Sequence, residues 1–442
     1  MNKTLKIKGY KIILLIILFF LIGSIIGYQY PTFLDAPKTY VTGIIHLIFP
    51  EQTNRPEKNN YEYKFKETIF ANAFNLKVQP VEYLSIRTKL NNDSPNYQHR
   101  SSALYAETVK GKTYLRLFTR DGHEISKDGI KKYKLPSTYH SHNSHGGLRG
   151  IFFFENEPYG FMAAKTVGCQ YISIVNLNLS NEIFRTGCLP DYRKIHYNSI
   201  GGASLHFKDK ILLTIGVPTN KSQSIRNLAQ DEKSYFGKII SISKNNLKKI
   251  KSNKEIKLLK PEIISIGHRN PQGLAKINNI VFSAEHGPKG GDEINNIKFY
   301  QNYGWPILSY GTKYDSVGEE NYKAYKNSHK KYGFTEPLFQ FTPSIAISSL
   351  AECPNKLQEY YEREGCLIAT SLKNRSLYII ILNDELNRVI GFEKILLKER
   401  LRHFANDLEG NLFYEDDGSI YVTIDNNAVL KVSFILKKFF EN

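Results

Sequence analysis

The sequence predicts an all-β protein, a six-bladed β-propeller of four-stranded sheets, preceded by a single N-terminal transmembrane helix. Tyr and Phe are abundant, with 29 and 26 copies among 442 residues, and helical periodicity is scarce, which favours strands. Short β-branched and aromatic runs bounded by Gly, Asn or Asp recur from residue 61. Their spacing fits about six repeats of about 60 residues, as expected for a propeller.

The N-terminus predicts a membrane anchor. Residues 1–11 form a basic segment with four lysines, and residues 12–28 are uncharged and mostly apolar. That length lies at the lower edge of what spans a bilayer. No small-residue cleavage site follows, so we expect an uncleaved signal-anchor with the lysines in the cytoplasm. A cleaved signal peptide and a buried core helix are the alternatives.

The rest of the chain divides into a linker and the propeller. Residues 29–60 combine Pro, Asn, Lys and Glu with one apolar patch, which is typical of a linker. Residues 61–442 carry the strand signals and would form the propeller on the periplasmic or extracellular side of the membrane. Residues 309–335 are polar and lack strand signals, so they are predicted to be a loop inserted on one face.

The net charge of +18 does not indicate nucleic-acid binding. The lysines are scattered along the chain, and no nucleic-acid-binding motif accompanies them. We therefore expect no nucleic-acid partner.

The four cysteines form two pairs that are close in sequence. In an exported chain, disulfides Cys169–Cys188 and Cys353–Cys366 are expected. The spacing does not suit a zinc site. The alternative is four buried free thiols.

Three short sequence strings contain many of the candidate functional residues. They are GHRNPQGL at 267–274, SAEHGPKGGDEIN at 283–295 and QNYGWP at 301–306. In this order and spacing they resemble the soluble quinoprotein glucose/sorbosone dehydrogenase family, with weaker matches at HGGLRGI, SLKNRSLYII and ERLRHF. The resemblance covers roughly residues 75–435. It implies a six-bladed propeller that holds pyrroloquinoline quinone (PQQ) and calcium on its axis and oxidises the anomeric carbon of aldoses.

The resemblance assigns the residues that would hold the cofactor. Arg269 and Asn270 would face the quinone, and Lys373, Arg400 and Arg402 would hold its carboxylates. The cofactor has three carboxylates, and the planar guanidinium of Arg pairs with a carboxylate through two hydrogen bonds. Arg400 and Arg402 alternate, so an extended chain would place them on one face.

The resemblance also implies two calcium sites. The backbone carbonyls of Gly287 and Pro288 would bind the calcium at the quinone, where the ion would act as a Lewis acid. The acid pair Asp292–Glu293 and the region of Tyr303 resemble a second, structural calcium site. An acid pair that caps a loop is the alternative for the second site.

The general base of the family is missing from its expected place. Oxidation of an aldose hydroxyl requires removal of a proton, which the family achieves with a His held by an Asp. In the stretch HYNSIGGASLHFKDKILLTIGVPTN these positions are occupied by Ile200 and Val217. His196 and His145 are the candidates for a replacement base. Three histidines within YHSHNSH also allow transition-metal binding, although polar loop histidines are commoner.

Two functions therefore stay open. The first is a membrane-anchored, PQQ- and calcium-dependent aldose dehydrogenase, an oxidoreductase acting outside the cytoplasm. The alternative is a catalytically degenerate propeller of the same family that binds a saccharide, an anionic ligand or a protein. The cationic side chains expected at the cofactor favour the dehydrogenase. The absence of both the His base and its Asp partner favours the degenerate binding protein.

Overall fold

The computed structural model divides the chain into two units, Met1–Lys64 and Phe65–Asn442, and describes parts of the second. The described residues are 67–70, 74–84, 100–142, 145–189, 197, 199–218, 223–252, 258–313, 325, 328–425 and 428–436. The predicted basic segment, transmembrane helix and linker lie outside them. Within the described residues, no helix is long and apolar enough to cross a membrane.

The second unit consists mainly of β-strands, which confirms the predicted all-β class. The first strands are β1 (Glu67–Phe70), β2 (Phe74–Pro80), β3 (Ser101–Val109), β4 (Lys112–Thr119), β5 (His123–Ser126), β6 (Gly129–Lys132), β7 (Ser141–His142) and β8 (His145–Gly146). Then follow β9 (Leu148–Phe154), β10 (Glu157–Thr166), β11 (Cys169–Asn176), β12 (Asn181–Arg185), β13 (Gly201–Phe207), β14 (Lys210–Ile215), β15 (Lys238–Ser243) and β16 (Glu262–Ile266).

The remaining strands complete the unit. They are β17 (Pro271–Ile277), β18 (Ile280–Glu285), β19 (Asp292–Ile297), β20 (Gln301–Asn302), β21 (Phe339–Phe341), β22 (Ile347–Glu352), β23 (Cys366–Ser371), β24 (Ser376–Leu382), β25 (Val389–Leu396), β26 (Leu401–Asn406), β27 (Ile420–Ile424) and β28 (Val429–Leu436). The described helices are short: α1 (Gln223–Asn227), α2 (Lys244–Ser252), α3 (Asn355–Tyr361) and two 3-10 turns at Glu82–Leu84 and Lys330–Tyr332. In the predicted loop 309–335 the described residues form no strand.

Strands that are consecutive in sequence pair antiparallel into sheets. Three sheets contain β9–β12, β22–β25, and β17–β19 with β21, and a fourth contains β13–β16 with the short β20 added in parallel. A larger sheet joins β3–β6 to β26–β28 through a parallel pairing of β26 with β3. In this sheet β2, near the N-terminal end of the unit, pairs with β28 at its C-terminal end. Both ends of the unit thus belong to one sheet.

Six strands form a closed circuit of contacts, of which β3 and β26 both belong to the larger sheet. β3 contacts β9, β9 contacts β13, β13 contacts β17, and the circuit continues through β22 and β26 back to β3. We call these six the inner strands. Apolar side chains fill the space between neighbouring sheets, as with Phe152 and Phe184 against Ile211 and Ile240. Each buried side chain of this size contributes about 1.5–3 kcal/mol, so this packing holds the sheets together.

Every inner strand carries a β-bulge near its first residues. The register shifts between Ser101 and Ala103, between Leu148 and Gly150, and at four matching places in the other inner strands. The residues left outside the regular pairing are Ser102, Arg149, Gly202, Ala203, Gln272, Ser348, Ser349, Arg402 and His403. A bulge bends the strand and redirects its side chains, so these residues leave the pattern of the sheet at one end of each inner strand.

Threonine hydroxyls on the neighbouring strands hold three of these bulges. Thr214 Oγ1 accepts the N–H groups of Gly202 and Ala203 at 3.1 and 3.0 Å and donates to the carbonyl of Pro271 at 2.9 Å. In the same way, Thr370 Oγ1 accepts from Ser349 and donates to the carbonyl of Arg402. Each hydroxyl therefore fixes a bulge in its own sheet and links it to the inner strand of the next sheet.

A third threonine repeats this arrangement where the circuit closes. Thr423 Oγ1 accepts the N–H of His403 at 3.0 Å and the hydroxyl of Ser101 at 3.4 Å. We call Thr214, Thr370 and Thr423 the threonine clips.

Both predicted disulfides are present. The Cα atoms are 5.2 Å apart in Cys169–Cys188 and 5.3 Å apart in Cys353–Cys366, within the usual range for a disulfide. All four cysteines lie among the described residues, and none is free. The alternative of four buried thiols is therefore wrong.

Removal of one threonine clip should measurably destabilise the protein. We expect Thr370→Val to lower the free energy of unfolding by about 1–3 kcal/mol, because the N–H of Ser349 and the carbonyl of Arg402 lose their partner at nearly constant side-chain volume. Denaturant unfolding measures the change. Thr108→Val, at an exposed position of β3, is the control and should stay within about 0.5 kcal/mol of wild type. Equal effects of the two substitutions would contradict a structural role for the clip.

Candidate functional site

The candidate site lies where the inner strands begin. Asn270 directly precedes β17, and its side-chain oxygen accepts the N–H of Gly201 at the start of β13, at 3.3 Å. A Cβ placed at Gly202 would lie 2.7 Å from the carbonyl oxygen of Arg149, so β13 and β9 begin in close contact. We call this end of the inner strands the axial end. It brings together residues that are far apart in sequence.

Arg269 is held by three contacts from two segments of the chain. Its backbone N–H donates to Glu285 Oε1 at 2.6 Å, and its guanidinium donates to the carbonyl of His286 at 2.9 Å. The guanidinium carbon also lies 5.3 Å from the ring centre of Trp305, within the range of a cation–π contact. Two of the three motif strings therefore position the arginine of the first.

Asn270 is buried and linked to its neighbours on two strands. Its Oδ1 accepts from Gln272 Nε2 at 2.8 Å as well as from the N–H of Gly201. Its carbonyl accepts the N–H of His286 at 3.1 Å. These contacts place Asn270 at the junction of the inner strands β13 and β17 and the segment that follows β18.

A buried line of three polar side chains supports Arg269. Ser265 Oγ lies 2.8 Å from His268 Nε2, and His268 Nδ1 lies 2.8 Å from Glu285 Oε2. The ring of Tyr303 stacks on His268 with the ring centres 4.7 Å apart. All three polar side chains are buried, so the line cannot meet a substrate and acts as a support. This role was not predicted from the sequence, although His268 and Glu285 lie within the motif strings.

Arg400 and Arg402 both reach Asp425. Arg400 Nε donates to Asp425 Oδ2 at 2.6 Å, and Arg402 Nε is hydrogen-bonded to Asp425 Oδ1. Arg402 is buried, whereas the side chain of Arg400 is 45% exposed. Burial by itself would raise the pKa of Asp425, but the charge of Arg402 and the hydrogen bond from Arg400 outweigh it and lower this pKa. The alternating pair thus shares one carboxylate.

Three further arginines lie in the same charged region as Arg402, and no sequence pattern indicated them. Arg120 is buried, and the charges of Arg149, Arg402 and Arg100 act on it. Burial followed by these charges lowers the pKa of Arg120 well below its usual value. Burial and the charges of Arg402 and Arg100 lower the pKa of Arg149 to about 9. We call Arg100, Arg120, Arg149 and Arg402 the arginine cluster.

His403 experiences the same charges. Burial, then the charges of Arg402, Arg120 and Arg149, lower the pKa of its imidazole to about 3. The ring is therefore neutral at pH 7 and adds no further positive charge to the cluster.

The turn that contains Gly287 and Pro288 is tightly braced. Asp292 Oδ1 accepts the N–H of Gly287 at 3.1 Å, and its Oδ2 accepts the N–H groups of Ala346 and Ile347 at 2.6 and 3.3 Å. Asp292 therefore braces the backbone, which matches the alternative reading of an acid that caps a loop.

Close packing fixes the backbone of this turn. A Cβ at Gly287 would lie 1.9 Å from the carbonyl oxygen of Gly291, so only glycine fits there. The carbonyl of Pro288 accepts the hydroxyl of Ser344 at 3.1 Å, which occupies one of its lone pairs.

Glu293 is a buried carboxylate among other carboxylates. Its side chain accepts from Asn295 Nδ2 at 3.4 Å. Burial, followed by the charge of Glu285, raises its pKa well above the usual value, and Asp292 and Glu336 raise it further. Within the described residues, no group of three or more His, Cys, Asp or Glu side chains is arranged to hold a metal ion.

The phenol of Tyr303 already has two partners. It donates to the carbonyl of Asn296 at 2.6 Å and accepts the N–H of Lys298 at 2.9 Å. The ring of His329 is hydrogen-bonded to the backbone of Tyr303. The side chain of Tyr303 thus serves the fold around the predicted second calcium site.

The other predicted site residues differ in their placement. Lys373 is exposed and lies next to Leu372, whose carbonyl accepts from Arg400 at 3.2 Å. Ile200 is fully buried in the core between the β9–β12 and β13–β16 sheets. His196 and the side chain of His145 lie outside the described residues.

Val217 has a structural role at the site. It packs with Ile225, Ala229 and Trp305, the ring that lies under Arg269. Its N–H donates to the carbonyl of Arg269 at 2.7 Å. Val217 cannot orient a base, but it supports the position of Arg269.

Asp425 should stabilise the protein at neutral pH and lose this effect in acid. We expect Asp425→Asn to lower the free energy of unfolding by about 3 kcal/mol at pH 7, because two guanidinium groups lose their shared, largely buried carboxylate. The pKa of Asp425 is lower in the folded than in the unfolded state, so its contribution is present above the unfolded pKa of about 3.9 and is lost as pH falls below it.

Denaturant unfolding at pH 7, 5 and 3 measures this difference. It should be similar at pH 7 and 5 and smaller at pH 3. Asp384→Asn is the matched control, since Asp384 also pairs with an arginine but its side chain is 80% exposed. A wild-type-to-variant difference that stays constant down to pH 3 would argue against the assigned ion pairs.

The chain is similar to known sugar dehydrogenases in sequence and in fold. It is 29% identical to the aldose sugar dehydrogenase YliI of Escherichia coli over 243 residues, 52% of this chain and 59% of that protein. The chain spans little more than half of the length of the curated relatives that it matches. The fold resembles the soluble aldose sugar dehydrogenase of E. coli in its apo form, with 21% identity, a TM-score of 0.56 and coverage of 81% of this chain and 99% of that one.

A second solved structure supports the same fold. It is the PQQ-bound aldose sugar dehydrogenase of Streptomyces coelicolor, with 18% identity, a TM-score of 0.52 and coverage of 81% of this chain and 98% of that one. The sequence profile of glucose/sorbosone dehydrogenases matches residues 171–429, which is more than half of the chain. The chain therefore belongs to the glucose/sorbosone dehydrogenase family.

Proposed function

We propose that this protein is a membrane-anchored, PQQ- and calcium-dependent aldose dehydrogenase with a six-bladed propeller that acts outside the cytoplasm. The observation that carries the proposal is the set of cations at the axial end. Arg269 and Asn270 lie at the start of one inner strand, and Arg400 and Arg402 lie at the start of another. The PQQ-bound neighbour shares the fold on which these residues are arranged.

The residues at the axial end fit the charge of PQQ. When bound, this cofactor supplies an ortho-quinone that accepts a hydride, and it carries three carboxylates. Burial and the charges of neighbouring arginines lower the pKa of Arg120 and Arg149, so a nearby anionic group would favour their charged forms. Arg269 and Asn270 would contact the quinone, and Arg400, Arg402 and Lys373 would contact the carboxylates.

The residues proposed for calcium fit in part. Gly287 and Pro288 offer carbonyl oxygens in a backbone turn too tight for any side chain at Gly287. Glu293 is buried beside other carboxylates, a setting in which a cation would be favourable. The phenol of Tyr303 is already hydrogen-bonded, so a contribution from Tyr303 would come from its backbone.

A proton acceptor must be found outside the family's usual pair. Ile200 and Val217 have no proton-accepting group. Among the described residues, His286 is the strongest candidate, because its Nε2 is buried without a hydrogen-bond partner and the charges of Arg269 and Arg402 act on its ring. Burial lowers the pKa of His286, so the ring is neutral at pH 7 and able to accept a proton. His196 and His145 are further candidates.

Two features support export and anchoring. The basic segment 1–11 and the apolar stretch 12–28 have the composition of a signal-anchor. The two disulfides suit an oxidising compartment outside the cytoplasm. The closed circuit of six inner strands supports the six-bladed count.

A catalytically degenerate binding protein is the second candidate function. The complete burial of Ile200 in the core favours this second function. A small movement of the chain would not bring a proton-accepting side chain to the place that Ile200 occupies. Such a protein would keep the axial end as a binding site for a saccharide, an anionic ligand or a protein.

The quinone spectrum distinguishes the two functions. We expect the full-length chain, purified in detergent from the membrane fraction, to bind PQQ in the presence of calcium and to show reduction of the quinone absorbance when an aldose is added. Non-reducing trehalose is the matched control sugar and should leave the spectrum unchanged. Binding without reduction by any aldose supports the degenerate protein. Absence of PQQ binding would overturn the cofactor assignment.

Substitution of Glu293 tests the calcium assignment through protein stability, independently of sugar oxidation. We expect calcium to raise the Tm of the PQQ-free protein by several degrees, since a ligand that binds only the folded state stabilises it. Glu293→Gln should abolish most of this rise, because the buried carboxylate that would contact the ion is lost. Glu359→Gln, at an exposed position of α3, should keep it. A full calcium response in Glu293→Gln would exclude Glu293 as a ligand.

A further inference from the structure

The side chain of Lys238 is fully buried, and its ammonium group donates to three backbone carbonyls. Nζ lies 2.8 Å from the oxygen of Leu228, 2.9 Å from that of Ala229 and 2.8 Å from that of Phe236. An ammonium group has three N–H donors and no acceptor, so each donor has a partner. Removing a charge from water is costly, and an apolar residue at the start of β15 would avoid this cost. The lysine therefore does more than fill the core.

The three carbonyls belong to a segment that the lysine ties together. Residues 225–237, which we call the bracing segment, begin within α1 and end directly before β15. α1 has only five residues, and so short a helix is not stable on its own. The carbonyls of Leu228 and Ala229 lie just beyond α1, where the helix offers backbone oxygens no partner. The ammonium group joins these two oxygens to that of Phe236 and so fixes both ends of the bracing segment.

The bracing segment contacts the two residues that precede Arg269. The N–H of Gly267 donates at 3.0 Å to the carbonyl of Ala229, which also accepts from the ammonium group. The N–H of His268 donates to the carbonyl of Gly237 at 3.1 Å. A Cβ at Gly237 would lie 2.6 Å from the carbonyl oxygen of His268, so the two stretches of chain pass too closely for any other residue. The position of Arg269 therefore depends on that of the bracing segment.

The same segment holds Trp305, whose ring lies under Arg269. Gln230 Nε2 donates to the carbonyl of Trp305 at 2.6 Å, and Ile225 and Ala229 pack with its side chain. The guanidinium carbon and the centre of the indole ring are 5.3 Å apart. Both partners of this cation–π contact are thus positioned by one short segment.

We propose that Lys238 is a positioning residue for the axial end, because its buried ammonium group fixes the bracing segment and this segment sets the places of Arg269 and Trp305. The inference deepens the proposed function, and it rests on that function only where the ligand is PQQ. Lys238 acts through Ala229 and Gln230 and not by contact with a ligand. Loss of the ammonium group would leave buried carbonyls without this donor, and the bracing segment would loosen.

Tryptophan fluorescence reports on this arrangement without any ligand. The sequence contains one tryptophan, Trp305, so the emission comes from the site alone. Its side chain is buried, and the wild type should therefore resist quenching by acrylamide. We expect Lys238→Met to shift the emission to longer wavelength and to raise the quenching constant about twofold, because local opening admits water to the indole. Measurement at pH 6 keeps the wild-type amine charged, since burial lowers the pKa of Lys238 to about 7.

Three further variants complete the comparison in the full-length chain in detergent. Gln230→Leu removes the amide contact to the carbonyl of Trp305 at a partly exposed position, so the fold should be preserved and the emission should shift in the same direction. Lys249→Met, at an exposed position of α2, and Gln79→Leu, at a partly exposed position of β2, are the matched controls and should resemble wild type. Thermal unfolding shows whether each variant is folded.

A titration with PQQ adds the functional measurement. Lys238→Met should bind PQQ about tenfold more weakly than wild type, because a displaced Arg269 weakens a charge-assisted hydrogen bond. Failure of the wild type to bind PQQ would refute the cofactor and leave the fluorescence test to decide this inference.

The inference is overturned if folded Lys238→Met keeps the wild-type emission and quenching, or binds PQQ as tightly as a wild type that binds it. A lower Tm with unchanged emission would assign Lys238 to stability alone. If Lys238→Met does not fold, Gln230→Leu decides, because an unchanged emission in this variant also contradicts the role of the bracing segment. Equal shifts in the two control variants would contradict it as well.

Discussion

The threonine clips are the interaction on which the site depends. A strand that simply continued its ladder would direct alternate side chains into the sheet packing on either side. The bulge interrupts this pattern at the start of each inner strand, and the unpaired N–H groups it creates must find acceptors. In β13, β22 and β26, Thr214, Thr370 and Thr423 supply them, and the first two also donate to the next inner strand. The same hydroxyls thus shape the bulges and set the distance between neighbouring sheets.

Burial and charge act together on the ionisable groups near the axial end. Burial and the charges of neighbouring arginines lower the pKa of Arg120 and Arg149. Asp425 supplies a negative charge to Arg400 and Arg402, and the apolar cores between the sheets stabilise the fold around them. Glu293 is the opposite case, because burial and the charge of Glu285 raise its pKa well above the usual value. A nearby anion would favour the charged arginines, and a nearby cation would favour ionisation of Glu293.

The sequence predicted some parts of this arrangement and not others, for physical reasons. Arg269 and Asn270 were recognisable because they belong to a continuous string, and the disulfides because each pair closes a short loop. The hydrogen-bonded line Ser265–His268–Glu285 could have been predicted in part, since His268 and Glu285 lie in the motif strings. Arg100, Arg120 and Asp425 belong to no local pattern. A backbone hydrogen bond joins Arg120 to Arg100, and Asp425 contacts Arg400 and Arg402 where β27 ends beside β26. Arg149 lay in a quoted string, yet only the bulge in β9 shows that it leaves the ladder.

The apolar residues at the positions assigned to the family's His–Asp pair are part of the packing of the fold. Ile200 is part of the core that joins two sheets, and Val217 supports Trp305 and, through its N–H, the backbone of Arg269. A histidine at 200 would bury a polar ring among Phe and Ile side chains, and an aspartate at 217 would place a carboxylate against an indole. Ile200 therefore stabilises the core, and Val217 stabilises the position of Arg269. Any proton transfer must therefore use a group elsewhere, such as His286, which follows the end of β18. The binding of an anionic ligand does not depend on such a proton transfer.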